Sequence, residues 1–224
     1  MHSASSRQCD RPGRLRRDEL DRDESPERRP GDVDAVVISH LHGDHFGGLS
    51  FLVLDGQFSS RTRPLRVVGP AGIRDRMLAS MEVLYPGSSG VQRRFTLDFD
   101  ELDGAGTAVE ACGMQIQSWE VDHASGAPAL AFRVEAAGRL FGYSGDTAWT
   151  PALAVAAHGT DLFACEAYTY DKAVRYHLDY ATLDAHADEL ETRQLVLTHM
   201  GPAMLARLEA TGRECAHDGL SLTA

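Results

Sequence analysis

Residues 36–49 read "VVISHLHGDHFGGL", in which three histidines and an aspartate fall within six positions directly after an apolar run. Connecting loops are ordinarily built from Gly, Asn, Ser and Pro, so this density of imidazole and carboxylate points to metal ligation. His40 and His42 are two apart in an extended segment, which projects both rings to one side, where they can close on one ion. Gly43 permits a sharp turn, after which Asp44 and His45 can face a second ion. One loop cannot complete two coordination spheres, so further ligands are expected at other strand ends. His123 at the end of "SWEVDH", Asp146 in "YSGDT" and His199 in "LVLTHM" each stand where an apolar strand gives way to a loop. Taken singly, a strand-end histidine is more often a hydrogen-bonded structural residue; taken together, these positions form a constellation. His2, His158, His186 and His217 fit no ligand position and are expected at the surface.

Outward from this loop, the chain divides at Gly31. Residues 1–30, ending "RRDELDRDESPERRP", interleave Arg with Asp and Glu and have almost no aliphatic side chains, so a disordered tail is expected there. Residues 31–224 are expected to form one domain. "VDAVVIS" has the apolar, β-branched character of a strand buried on both faces. Ile73, Met77, Met81 and Leu84 recur at helical spacing after "GPAG", and that helix should stop before "YPGSSG". "RRFTLDFDE", "TAVEA", "MQIQSWEVDH", "PALAFRVEAAG" and "RLFGYSGDT" are short β-rich segments separated by Gly or Asp turns, and are expected to pair antiparallel. "DLFACEAY" and "QLVLTHM" read as further strands, with a helix over Tyr180, Leu183, Ala187 and Leu190 between them. A last helix is expected from Pro202 to Gly212. Such α/β units flanking an antiparallel block predict a layered α/β sandwich.

The 224 residues carry a net charge of −11, which argues against a broad polyanion-binding surface and for small-molecule partners. No apolar run is long enough to span a membrane and no secretory h-region begins the chain, so a cytoplasmic location is expected. Cys9, Cys112, Cys165 and Cys215 form no C-x-x-C, which predicts free thiols. Trp119 and Trp149 are expected in the core or in a pocket wall.

With "SHLHGDH", His123, "SGDT" and "LTH" in this order, residues 31–202 resemble the metallo-β-lactamase-fold hydrolases. The resemblance implies a four-layer αββα sandwich. It also implies that His40, His42 and His123 hold one zinc ion, that Asp44, His45 and His199 hold another, and that Asp146 bridges them. Imidazole and carboxylate suit Zn²⁺, and Mn²⁺ or Fe²⁺ are alternatives. Members of the fold normally lead the first histidine motif with several strands. The charged tail stands in that place here, so the resemblance implies an N-terminally incomplete sheet, and the break at Gly31 suggests that residues 1–30 are not the ancestral start.

"DLFACEAY", "RYHLDYATLDAHADEL" and "QLVLTHM" look most like the ribonuclease Z and phosphodiesterase branch, whose acidic and histidine residues outside the metal shell map onto Glu166 and His177. At Cys165 the chain departs from ribonuclease Z, which typically has histidine there. The resemblance thus implies a binuclear hydrolase in which Asp44, Glu166 and His177 join the chemistry, with a hydroxide held between the ions attacking phosphorus and His177 protonating the departing alkoxide. The tRNA-binding arm of ribonuclease Z has no room in the interval of 146 − 123 = 23 positions from His123 to Asp146, so a small or cyclic phosphodiester is the expected substrate and tRNA 3′-end cleavage an alternative. A lactone, thioester or β-lactam hydrolase on the same metal core, and a truncated non-catalytic member, are further readings. A homodimer is also expected from the resemblance.

Overall fold

The computed structural model describes residues 30–222. The expected disordered tail, with His2 and Cys9, lies outside them apart from Pro30. Two sheets organise the described residues. In the first, β1 (Ala35–Val37), β2 (Leu65–Pro70) and β3 (Leu97–Leu102) run parallel in the order β1-β2-β3. Helices α1 (Gly43–Phe46) and α2 (Gly48–Phe58) connect β1 to β2, and α3 (Ile73–Leu84) connects β2 to β3.

The second sheet has seven strands in the order β10-β9-β8-β7-β6-β5-β4. Its antiparallel half comprises β4 (Val109–Ala111), β5 (Met114–Val121), β6 (Ala129–Ala136) and β7 (Arg139–Tyr143). β8 (Leu162–Glu166), β9 (Leu195–Thr198) and β10 (Glu214–Cys215) extend it in parallel from β7. Helix α4 (Pro151–Ala157) joins β7 to β8, α5 (Tyr180–Ala185) lies between β8 and β9, and α6 (Pro202–Leu205) follows β9.

Three apolar interfaces make these elements four layers. Ile38, Val67, Ile73, Met77 and Met81 pack the first sheet against its helices. Val68 and Leu102 meet Ile116, Leu130 and Phe132 between the sheets. Ala129, Ala131, Leu153, Phe163 and Leu183 pack the second sheet against α4 and α5. Alternation along a strand is what lets one sheet serve two interfaces. Val67 and Val68 of β2 face opposite layers, as do Ala129 and Ala131 against Leu130 and Phe132 of β6. Burial of side chains such as Met77 and Leu183, both fully covered, stabilises the sandwich by about 1.5–3 kcal/mol each. The αββα architecture is the one the family resemblance implied, and it is the layered α/β sandwich expected from the order of strands and helices.

Several elements differ from expectation. "VDAVVIS" yields only a three-residue strand, half-buried throughout, because β1 pairs on one side with β2 and borders no other strand among the described residues. "RRFTLDFDE" supplies β3, which is parallel to β2 and belongs to the first sheet, because the α3 crossover returns the chain in the same direction. The helix expected through Leu190 breaks at His186, and Ala187–Leu190 continues as a 3₁₀ turn. The helix expected from Pro202 ends at Leu205, with a 3₁₀ turn at Leu208–Ala210 before Gly212, and β10 follows without a sequence signal. The α3 helix matches its prediction, with Ile73, Met77 and Met81 fully buried and Leu84 emerging at its end.

Candidate metal centre

Strand direction gathers the candidate residues. Because β6 is antiparallel to both β5 and β7, and β8 and β9 are parallel to β7, the C-terminal ends of β5, β7, β8 and β9 share one edge of the sheet. These ends deliver His123, Asp146, Glu166 and His199. The first sheet delivers its loop to the same place, since Leu130 N–H of β6 donates to the Ser39 carbonyl at 2.9 Å. Gly145 makes that approach possible: at φ +60, a Cβ there would stand 2.7 Å from the Leu130 carbonyl oxygen and 3.0 Å from Ser39 Cβ.

Ligand atoms of His40, His42 and His123 lie within 4.8 Å of one another, as do those of His40, His45 and Asp146, and those of Asp146, Glu166, His177 and His199. Asp146 sits at the junction, its side chain only 3% exposed. Its Oδ2 is 3.4 Å from His45 Nε2 and 3.8 Å from His40 Nε2, and its Oδ1 is 3.1 Å from His199 Nδ1. Asp44 stands apart from all three groups. Its carboxylate is 3.6 Å from His45 Nε2, but the side chain is 72% exposed on α1.

The electrostatics match a centre built for cations. Burial, reinforced by the neighbouring imidazoles, lowers the His40 pKa to about 3, so this ring is neutral with a lone pair available. Burial opposes ionisation of Asp146, yet its contact with His45 and the positive charge of His199 and His45 hold the carboxyl below the usual range. The same Asp146 contact raises His45 against burial. Two atoms at the centre of this cluster, His40 Nε2 and Asp146 Oδ1, are buried and make no aligned hydrogen bond, although His199 Nδ1 lies 3.1 Å from Oδ1. Such orphaned atoms are costly unless something binds them, and an imidazole nitrogen beside a carboxylate oxygen is a donor set suited to a divalent metal ion.

Outer contacts fix the rings. Ser39 Oγ lies 3.0 Å from His40 Nδ1, leaving Nε2 for the centre. His123 Nδ1 donates to the Tyr176 carbonyl at 2.9 Å, and its Nε2 lies 3.1 Å from His42 Nδ1. Tyr176 holds that carbonyl with φ +67, a left-handed conformation that costs an L-residue about 1–2 kcal/mol. His199 too has a positive φ, +50, at the end of β9. Tyr168 lies against His177 and His199, with ring centroids 4.7 and 5.7 Å away.

Glu166 and His177 meet in a hydrogen bond between Oε1 and Nδ1. Glu166 is fully buried, and its Oε2 accepts from Thr147 N–H at 2.7 Å and from Leu178 N–H at 3.4 Å. Burial pushes the Glu166 carboxyl up to about 9 and lowers His177, so both members favour their neutral forms. Cys165 points away from this pair into the helix-facing core, where burial pushes its thiol up. Of the remaining histidines, His158 pairs with Glu191 at 2.7 Å, and His186 stacks on the half-buried Trp149 at 4.2 Å.

Ser39, Tyr168 and Tyr176 were not singled out from sequence. A signal existed for Ser39, because a ligating histidine requires a partner for its second nitrogen. The two tyrosines act through a ring face and a backbone carbonyl, which no residue pattern announces.

A family model described as "Beta-lactamase superfamily domain" matches residues 12–200. Among curated proteins, a ribonuclease Z from Lachnospira eligens is 35% identical over 92 residues, 41% of this chain and 28% of its own length. One from Geobacillus kaustophilus is 35% identical over 106 residues, 47% of this chain and 32% of its own length. The chain thus matches about a third or less of the length of these relatives. Among solved structures, human tRNase Z, short form, has a TM-score of 0.65 at 22% identity, covering 79% of this chain and 76% of that one. The metallo-beta-lactamase fold protein YhfI from Bacillus subtilis has a TM-score of 0.63 at 18% identity, covering 83% and 75%. With the family match spanning most of its length and the αββα sandwich in common, this chain belongs to the beta-lactamase superfamily, has the metallo-β-lactamase fold and is related in sequence to the ribonucleases Z.

Proposed function

We propose that the protein is a binuclear zinc-dependent hydrolase that cleaves a small or cyclic phosphodiester. The observation that carries this reading is the Glu166–His177 pair, which belongs to the same cluster as Asp146 and His199. Such a pair suits a phosphodiesterase, whose departing alkoxide must be protonated.

His40, His42 and His123 would hold one ion, and His45 and His199, with Asp44 turned inward, the other, Asp146 serving both. When bound, the ions neutralise the phosphoryl oxygens and activate the attacking water. The chain's own residues do the rest. Ser39 and the Tyr176 carbonyl hold the ligand rings in register. Because His177 Nδ1 is engaged by Glu166, Nε2 is the nitrogen left to pass a proton to the leaving oxygen, and Glu166, anchored by Thr147 and Leu178, replaces that proton at Nδ1. The relatives' ribonuclease names agree with a phosphodiester. The interval of 23 positions from His123 to Asp146 is taken up mainly by β6 and β7, which favours a small substrate over a folded tRNA.

Metal analysis of purified protein should find about two zinc ions per chain. In a panel of bis(p-nitrophenyl) phosphate, cyclic nucleotides, a lactone and a nitrocefin-type β-lactam, only the phosphodiesters should turn over, and His42→Ala should abolish that activity. Turnover of the lactone or β-lactam alone, or full phosphodiesterase activity in His42→Ala, would overturn the reading.

A further inference from the structure

Beyond the metal centre lies a cleft of about 630 Å³, the size of a small-molecule site, whose wall includes Asp122, Trp149, Arg175, Tyr176 and His177. Two of these residues belong to both places. His177 is also a member of the Asp146 and His199 cluster, and Tyr176 also holds His123 through its carbonyl. The cleft therefore adjoins the reaction centre. If His177 protonates the departing oxygen, the group attached to that oxygen must sit on the side of His177, where this cleft lies.

Its walls describe that group. Trp149 is half-buried and backed by the parallel ring of His186, and the Arg175 guanidinium lies 4.5 Å from the Tyr176 ring centroid. Indole, phenol and guanidinium planes are the surfaces on which flat heterocycles stack. The two exposed charged residues of the wall, Arg175 and Asp122, are of opposite sign, and Arg175 makes no ion pair among the described residues. That balance offers a polar heterocycle both a donor and an acceptor, and it does not concentrate a run of phosphates.

We propose that this cleft is the subsite for the base of a nucleotide phosphodiester, so that the substrate is a single phosphodiester carrying a neutral nucleoside at its leaving oxygen. The proposal rests on the phosphodiesterase reading above and specifies its substrate.

Two measurements separate the claims. The first compares turnover of adenosine 3′,5′-cyclic phosphate with that of methyl β-D-ribofuranoside 3′,5′-cyclic phosphate, the same fused ester with a methoxy group in place of the base. The base should raise kcat/KM by at least about tenfold, the worth of one stacked base, and Arg175→Ala should cut that ratio severalfold. The second uses the protein as purified and compares binding of adenosine 5′-monophosphate and ribose 5-phosphate by calorimetry and by quenching of Trp fluorescence. The nucleotide should bind about tenfold more tightly, with the margin reduced in Arg175→Ala and in Trp149→Phe. Equal binding of the two phosphates, or an undiminished margin in Arg175→Ala, would overturn the subsite. Preferential nucleotide binding without turnover of any phosphodiester would leave the subsite standing and remove the phosphodiesterase reading.

Discussion

The hydroxyl of Ser39, 3.0 Å from His40 Nδ1, controls which nitrogen of the most buried candidate ligand is free. Its loss leaves the ring able to rotate or to take the wrong tautomer, while the fold loses a single small side-chain contact. Ser39→Ala should therefore lower metal affinity about 10- to 100-fold, as measured by competition with a chromophoric chelator, with the circular dichroism spectrum preserved. Unchanged affinity would show that His40 is oriented by packing alone. At this scale the sequence was informative wherever chemistry is carried by residue type. His40, His42, His45, His123, Asp146 and His199 converge in the structure, as their positions at strand ends suggested. Asp44 was named on the same grounds, yet its carboxylate points to solvent, because α1 begins at Gly43 and turns the next side chain outward.

Among elements, Asp161 ties together the parallel half of the large sheet. Its carboxylate accepts from Leu140 N–H of β7 at 3.0 Å and lies 3.2 Å from Arg139 and 3.4 Å from Arg193. The Leu140 hydrogen bond, aided by the two arginines and opposed by desolvation, holds its folded pKa below the unfolded value of 3.8. Stability from this group is therefore complete well above pH 3.8 and is lost as acid takes the pH down through the folded value. Asp161→Asn should thus lose less stability than wild type between pH 7 and pH 3, read from urea midpoints at each pH. Parallel losses would show that the carboxylate is no better held in the folded chain than in the unfolded one. Element type was legible from periodicity, as in α3, whereas pairing was not. "RRFTLDFDE" has the alternation of either sheet, and only the crossover through α3 makes β3 a parallel partner of β2.

Across the whole molecule, the candidate ligands come from both sheets. The loop after β1 belongs to the three-stranded sheet, and His123, Asp146 and His199 belong to the seven-stranded one. A metal ion held there would clamp the two halves of the sandwich, so its removal should destabilise the whole chain. For protein purified with metal, exhaustive chelation should lower Tm by about 10 °C, the shift expected when a ligand held at about a thousand times its Kd is withdrawn from a chain of this size. An identical Tm before and after chelation would place the metal outside the structural junction. Among the described residues no helix is long and apolar enough to cross a membrane.

The amino-acid sequence by itself marked out the candidate ligands and a layered α/β sandwich, whose four-layer order was implied by the family resemblance. A dense His/Asp loop and strand-end ligands are signals of residue type, and alternation is a signal of spacing; both are local. Tertiary structure alone decided which sheet owns β3, that Tyr176 lends a carbonyl to His123, that Glu166 is buried against His177, and that a cleft walled by Trp149 and Arg175 adjoins them. Each of these depends on the direction in which distant strands run and on what their ends meet, and that relation exists only once the sheets have formed.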